Sequence, residues 1–220
     1  DYVIMAVPLS SLQVNQQSIK FKPPLPPQKH DAINQLFYNT SVARIYYELE
    51  SKFWLADHPE TAMAITDQAT VWIEDHTAHI SNKDCAVLEV HAGGPIGQEI
   101  IETECPEDLA AKQIEHVYGD QFRQALSHKK PISFFWSKEP YQQGAYPFFK
   151  PGQRKYLERL GESVGNIFFA GEYTSIGKPA SMNGAVCSAN RAFFELSERI
   201  KNSFTVNKYQ SVSVNNTLST

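Results

Sequence analysis

The spacing of apolar and polar positions changes character several times along the chain, and each change marks an element. Asp1-Tyr2-Val3-Ile4-Met5-Ala6-Val7-Pro8 is an apolar run that predicts a buried strand. Pro23-Pro24-Leu25-Pro26-Pro27 lacks amide donors and has fixed φ, so the chain must run extended there. Apolar positions at Ala32, Ile33, Leu36 and Phe37 then recur at helical spacing and predict a short amphipathic helix over residues 28–38. The β-branched and aromatic run from Ser41 to Glu48 predicts a strand ending near Phe53-Trp54. Further strands are expected at 62–66, 70–74 and 86–90. Together these form a mixed sheet, with turns at Asp67-Gln68 and Gly93-Gly94-Pro95.

Helical spacing returns over residues 106–118. Pro106 suits the first helical position, Glu107 and Asp108 suit the positive end of the dipole, and Gly119 suits the stop. A strand at 132–136, a turn-rich stretch at 137–152, a helix near 153–160 and a strand at 166–170 follow. The last strong element is a helix over about 181–200, in which Ala185, Val186, Ala189, Ala192, Phe193, Leu196 and Ile200 form one stripe for burial. Beyond Asn202 the chain is rich in Ser, Thr, Asn and Val and reads as an extended or poorly ordered tail. The fold class is α/β, of a mixed α+β kind.

A length of 220 residues allows one or two domains, and 42% hydrophobic with 20% charged residues supports a folded core. A net charge of −4 argues against a nucleic-acid partner. No apolar run approaches the roughly 20 residues of a membrane helix. Cys85, Cys105 and Cys187 are too few and too scattered for a disulfide framework or a zinc site. His76, His79 and His91 with Asp75 lie in a strand–turn region without helical ligand spacing, so no metal site is expected. Gly93-Gly94-Pro95-Ile96-Gly97 lacks the spacing of a dinucleotide loop and reads as a turn. The chain opens without Met inside a strand, so it is expected to start in the middle of a larger structure.

The most informative stretch is Asn166-Ile167-Phe168-Phe169-Ala170-Gly171-Glu172-Tyr173-Thr174-Ser175. It is a buried strand that stops at small residues and delivers a carboxylate at its carboxyl end, where ligands of open α/β sheets gather. Ala180-Ser181-Met182-Asn183-Gly184-Ala185 then opens a long helix with small side chains, leaving backbone amides approachable by an anion. A carboxylate for hydroxyl groups beside a helix N-terminus suits a cofactor with a polyol and an ionisable ring. On the residues alone, the same stretch also fits an ordinary strand–loop–helix crossover.

Phe169-Ala170-Gly171-Glu172-Tyr173-Thr174 with Ser181-Met182-Asn183-Gly184-Ala185 resembles the C-terminal flavin signature of FAD-dependent amine oxidases, which include L-amino-acid, monoamine and polyamine oxidases. Three further segments agree in order. They are Asp1 to Leu9 with Phe21 to Pro26, Ser41 to Tyr47 with Phe53-Trp54, and Trp136 followed by Glu139-Pro140-Tyr141, Gly144-Ala145-Tyr146 and Pro151-Gly152. The resemblance covers roughly residues 1–200. It implies the C-terminal part of a two-domain enzyme, with a GR2-like FAD-binding portion and a mixed-sheet substrate-binding portion. Residues 1–8 would be a strand of the FAD-binding domain, 9–131 the substrate-binding portion, 132–202 the C-terminal FAD-binding portion and 203–220 a polar tail.

By the same resemblance Glu172, beside Gly171, would hydrogen-bond the ribityl and pyrophosphate region of FAD. Ala180, Ser181, Met182 and Ala185 would line the flavin at the helix start. Trp136 and Tyr141 would lie near its ring. Ala145 stands where covalent members carry a flavin-linked cysteine, which implies noncovalent FAD. Tyr146 matches one wall of an aromatic cage over the substrate amine. Two positions depart from the family. Ser181 replaces the second cage aromatic, opening the cage on one side, and Arg44 replaces a lysine that holds a water near flavin N5. Arginine could hold a water or a carboxylate but could not deprotonate.

The resemblance implies oxidation of an amine or amino acid with O2 as acceptor, giving hydrogen peroxide. An L-amino acid suits the polar openings at Arg44 and Ser181, with a polyamine or monoamine, or a non-catalytic structural or regulatory role, as alternatives. The family's Gly-rich dinucleotide loop is absent from these 220 residues. A companion chain is therefore expected to carry it, in a processed hetero-oligomer built on a dimer. Asn39-Thr40-Ser41 and Asn215-Asn216-Thr217 match glycosylation sequons, which are too common by chance to fix a compartment.

Overall fold

The computed structural model describes residues 1–13, 19–36, 41–56, 63–67, 72–80 and 85–216, with side chains to Phe204. In chain order the elements are β1 (Val3–Met5), α1 (Leu9–Leu12), α2 (Pro27–Gln35), β2 (Val42–Leu49), β3 (Met63–Ile65), β4 (Trp72–Asp75) and β5 (Ala86–Gly93). They continue with α3 (Gly94–Glu102), α4 (Pro106–Tyr118), α5 (Asp120–Ala125), β6 (Ile132–Phe135), α6 (Tyr156–Gly161), β7 (Ile167–Phe169) and α7 (Met182–Asn216). The chain divides into two units: Asp1–Tyr38 with Tyr146–Thr220, and Asn39–Ala145.

In the second unit the sheet order is β3-β4-β5-β2-β6. Every strand pair in it is antiparallel, not mixed as the sequence suggested. The connections explain this. Short links between β3, β4 and β5 favour antiparallel return, and α3 to α5 carry the chain across β2 to its far side. Alternation along β2 sends Ala43, Ile45, Tyr47 and Leu49 to one face. There, with Ile73, Leu88 and Val90, they form a core with Ile100 of α3, Ile114 of α4 and Phe122 of α5. Helix α4 has the expected bounds, with Pro106 in its first turn and Gly119 at φ +66° ending it.

Residues 93–97, expected as a turn, instead end β5 at Gly93 and begin α3 at Gly94, because Pro95 occupies the first helical turn and Ile96, Ile100 and Ile101 recur at helical spacing. Gly97 is obligatory there. A Cβ would stand 2.6 Å from the Ala92 carbonyl oxygen and 2.7 Å from that of Ser41.

The first unit pairs β1 with β7 in parallel. Its core joins Leu9 and Leu12 of α1 and Ala32 and Ile33 of α2 to Leu160, Phe169 and Tyr173, so α1 and α2 belong to this unit. Tyr2, Val3 and Ile4 are exposed although their run predicted a buried strand. Among the described residues β1 has a single strand neighbour, so the pattern that marks burial meets nothing on its other side.

Helix α7 also differs from expectation in which face it buries. Gly184, Ser188 and Ala192 are buried, while Val186, Ala189 and Phe193 of the expected stripe are exposed. Small residues every fourth position let the helix approach Phe168 and Ala170 closely. The helix also continues past Asn202 to Asn216, where an extended tail was expected. Adding residues to a formed helix costs little, and composition is a weak guide to where it stops. Among the described residues no helix is long and apolar enough to cross a membrane.

Candidate active site

In the first unit β7 ends at Ala170, and the chain turns through Gly171 at φ +128°. A Cβ at Gly171 would lie 2.5 Å from the Tyr173 ring, so glycine is required by both conformation and space. The Gly171 N–H donates to Ser188 Oγ at 2.9 Å, and the Thr174 N–H and Oγ1 both donate to the Gly171 carbonyl. Arg191 locks this turn to α7. Its Nη2 donates to the Phe169 carbonyl at 2.7 Å and to Thr174 Oγ1 at 3.0 Å, while Nη1 reaches the Gly161 carbonyl at 2.8 Å. Neither Ser188 nor Arg191 was expected from sequence. Ser188→Ala is expected to cost about 1 kcal/mol in urea unfolding, the size of one hydrogen bond.

Glu172 stands half-buried on this turn. Burial raises its carboxyl above the usual range, opposed by hydrogen bonds from its own and the Tyr173 backbone N–H. Among the described residues it forms no ion pair, which leaves it an acceptor for neutral hydroxyl donors. Ser181 is the N-cap of α7: its Oγ accepts the Gly184 N–H at 3.0 Å and donates to the Lys178 carbonyl at 2.8 Å. Gly184 packs directly on the Lys178 carbonyl, where a Cβ would overlap the oxygen. Ala180 precedes the cap at φ +55°, Met182 is 90% exposed, and Ala185 closes the first turn by donating to the Ser181 carbonyl at 3.0 Å. Gly171, Glu172 and the start of α7 are thus brought together, because α7 packs on the Glu172–Thr174 turn. Tyr146 also belongs to this unit and is partly exposed.

The remaining expected residues lie in the second unit. Arg44 on β2 sits opposite Phe134 on β6, and the Trp136 ring stacks edge-on to Phe134 at 4.5 Å. The guanidinium donates to Glu89 Oε1 at 2.7 Å. Tyr141 is 84% exposed on the turn after Trp136, and Ala145 ends the unit. Of the residues weighed as metal ligands, Asp75 is satisfied by Thr77, Trp54 and Lys52, and His76 and His91 lie beside Glu89. Among the described residues no three His, Cys, Asp or Glu side chains converge as a metal site.

A family model described as flavin-containing amine oxidoreductase matches residues 1–192. The chain belongs to that family. Among curated proteins, the L-amino-acid oxidase of Bungarus fasciatus is 29% identical over 180 residues, covering 80% of this chain and 34% of its own length. That of Siganus canaliculatus is 29% identical over 178 residues, covering 78% and 33%. Among solved structures, cyclohexylamine oxidase from Brevibacterium oxydans superposes with a TM-score of 0.78 at 17% identity, covering 91% of this chain and 43% of that one. A putrescine oxidase bound to putrescine gives 0.70 at 20%, covering 89% and 42%. The chain therefore spans about a third of the length of the curated relatives it matches.

Membership in a flavin-containing family implies FAD. The residues of the first unit fit such a group. Glu172 is a half-buried carboxylate at a strand end with no ion pair among the described residues, and Gly184 lets α7 begin directly against the Lys178 carbonyl. Ser181 serves the third amide of that helix and the first turn closes on its carbonyl. The amides of Met182 and Asn183 are the ones a helix start offers to negative charge.

Proposed function

We propose that this chain is one part of an FAD-dependent oxidase acting on a carbon that bears an amino group, with an L-amino acid as substrate. The observation that carries the reading is the convergence of Gly171, Glu172 and the capped start of α7 in a chain similar to the L-amino-acid oxidases of Bungarus fasciatus and Siganus canaliculatus. The net reaction is amine plus O2 plus water to carbonyl compound, ammonia and hydrogen peroxide. FAD, when bound, supplies the ring that accepts hydride.

Glu172 accepts hydrogen bonds from cofactor hydroxyl groups, and the start of α7 stabilises negative charge. Ala145 offers no thiol, so the cofactor is held noncovalently. Tyr146 presents an aromatic face to the substrate amine, Trp136 and Tyr141 supply apolar walls, and Arg44 remains charged throughout the pH range to hold a water or a carboxylate. A second reading, an amine without a carboxylate, is favoured by the pairing of Arg44 with Glu89.

A companion segment carrying the Gly-rich dinucleotide loop completes the site in a hetero-oligomer built on a dimer. The exposed Val3 and Ile4 of β1 and Val186, Phe193 and Phe194 of α7 support this, being apolar surface of the kind another polypeptide covers. The test is reconstitution of this chain with that segment and FAD. A yellow protein that makes peroxide from L-amino acids, in preference to putrescine, spermidine or benzylamine, is expected. A colourless preparation with every segment present would sink the reading. Arg44→Met and Tyr146→Ala should each lower kcat roughly tenfold with flavin retained, and unchanged kinetics in both would remove these residues from the site.

A further inference from the structure

The face of the five-stranded sheet opposite its helices carries an ordered polar array. Register places Ile65, Trp72, His91, Arg44 and Phe134 in one row across all five strands. Glu74, Glu89, Tyr46 and Ile132 form the next row. At the centre is Glu89, whose side chain is 1% exposed. A buried carboxylate costs several kcal/mol unless it is well partnered. Here Arg44 Nη1 donates to Oε1 at 2.7 Å, His76 Nδ1 lies 3.0 Å from Oε2, and His91 Nδ1 lies 3.9 Å from Oε1.

His91 stacks on Trp72 at 4.3 Å and is neutral at pH 7, its pKa pushed down to about 4 by burial and by Arg44. Arg44 is therefore the cation of the pair, 37% exposed, with its charge already met by Glu89. Glu74 adds a second negative field on the same guanidinium. A substrate carboxylate approaching Arg44 must compete with Glu89, whereas a group carrying only an amine faces no such competition.

We propose that Glu89 is a specificity-determining residue: by partly neutralising Arg44 it moderates the attraction for a substrate carboxylate, so that amines lacking one compete better with amino acids than they would beside an unpaired Arg44. This rests on the reading of Arg44 as a substrate-facing residue of amine oxidation. Glu89→Gln keeps the shape and an acceptor for Arg44 but removes the opposing charge.

The test compares L-phenylalanine with phenethylamine, which differ only by the carboxylate, in the reconstituted holoenzyme. Glu89→Gln should raise the ratio of kcat/KM for L-phenylalanine over phenethylamine about tenfold or more. It should also tighten benzoate, followed by tryptophan fluorescence, by a similar factor. In the Arg44→Met background the gain should vanish. An unchanged or falling ratio, or unchanged benzoate affinity, overturns the proposal. The benzoate titration separates it from the proposed function, because it reads the carboxylate preference even if wild type oxidises neither compound. If Glu89→Gln does not fold, Arg44→Met alone removes the cation, leaves Glu89 to His76 and should shift the ratio about tenfold toward phenethylamine. No shift there overturns the proposal equally.

Discussion

Gly184→Ala is expected to destabilise the chain by about 3 kcal/mol, a fall in Tm of roughly 6–12 °C for a chain of this size. The added Cβ would overlap the Lys178 carbonyl oxygen and stand 2.9 Å from its carbon, and neither backbone atom can swing aside as a side-chain tip could. Relief requires α7 to move away from residues 175–178. That movement would pull Ser181 from the Lys178 carbonyl and Ser188 from the Gly171 N–H. Flavin affinity should therefore fall with stability, because the turn carrying Glu172 and the helix start are held by the same contacts. Gly177→Ala is the control: a Cβ there meets nothing within 4 Å. Thermal melts of the two variants, with flavin absorbance after gel filtration, decide the matter. If both melt within 2 °C of wild type on the order expected for a neutral surface change, the close approach is not what holds α7.

What the sequence disclosed of this site divides by the range of the signal. Gly171 and Glu172 stand out locally, because an apolar strand ending in small residues and an acid is a pattern of adjacent positions. Helix α4 is equally local: Pro106, two acids and Gly119 punctuate it at both ends. Ser188 and Arg191 are different. They act on Gly171 and Phe169 from 17 and 22 residues away, through the packing of α7 on β7, and no spacing rule points from one to the other. Arg191 did carry a signal, since a long cation beside a line of small buried residues has few places to go.

The Arg44–Glu89 pair was half legible. Each strand shows a charged residue alternating with apolar ones, Arg44 between Ala43 and Ile45 and Glu89 between Leu88 and Val90. Alternation says that each faces away from the core. It does not say that β2 and β5 are neighbours or in what register, and a slip of one residue would separate the pair. Exposure of β1 and of one stripe of α7 departs from the apolar pattern for a related reason. Apolar pattern reports what a surface favours, whereas exposure depends on what packs against it.

Lys29→Met is expected to cost about 2 kcal/mol at pH 6 and about 5 kcal/mol at pH 9. Lys29 is 3% exposed, and its Nζ donates to the carbonyls of Leu160 at 2.6 Å and Glu162 at 2.7 Å while lying 3.6 Å from the centre of the Phe169 ring. It thus ties α2 to the C-terminal end of α6, where unpaired carbonyls and the helix dipole favour a donor. Methionine fills similar space but leaves both carbonyls unpartnered. The pH term follows from burial, which pushes the amine down to about 7, with Glu162 opposing the shift, Arg191 adding to it and Glu195 opposing it. In the unfolded chain the amine titrates near its ordinary value of 10.5. Between about 7 and 10.5 the unfolded state holds the extra proton, so raising pH favours the folded wild type. As pH falls through 7, that contribution is lost. Other titrating groups are common to both chains and cancel in the difference. Urea unfolding of both proteins at pH 6 and pH 9 should show the gap widening at the higher pH. A gap that stays constant would mean the buried amine keeps its ordinary affinity for the proton.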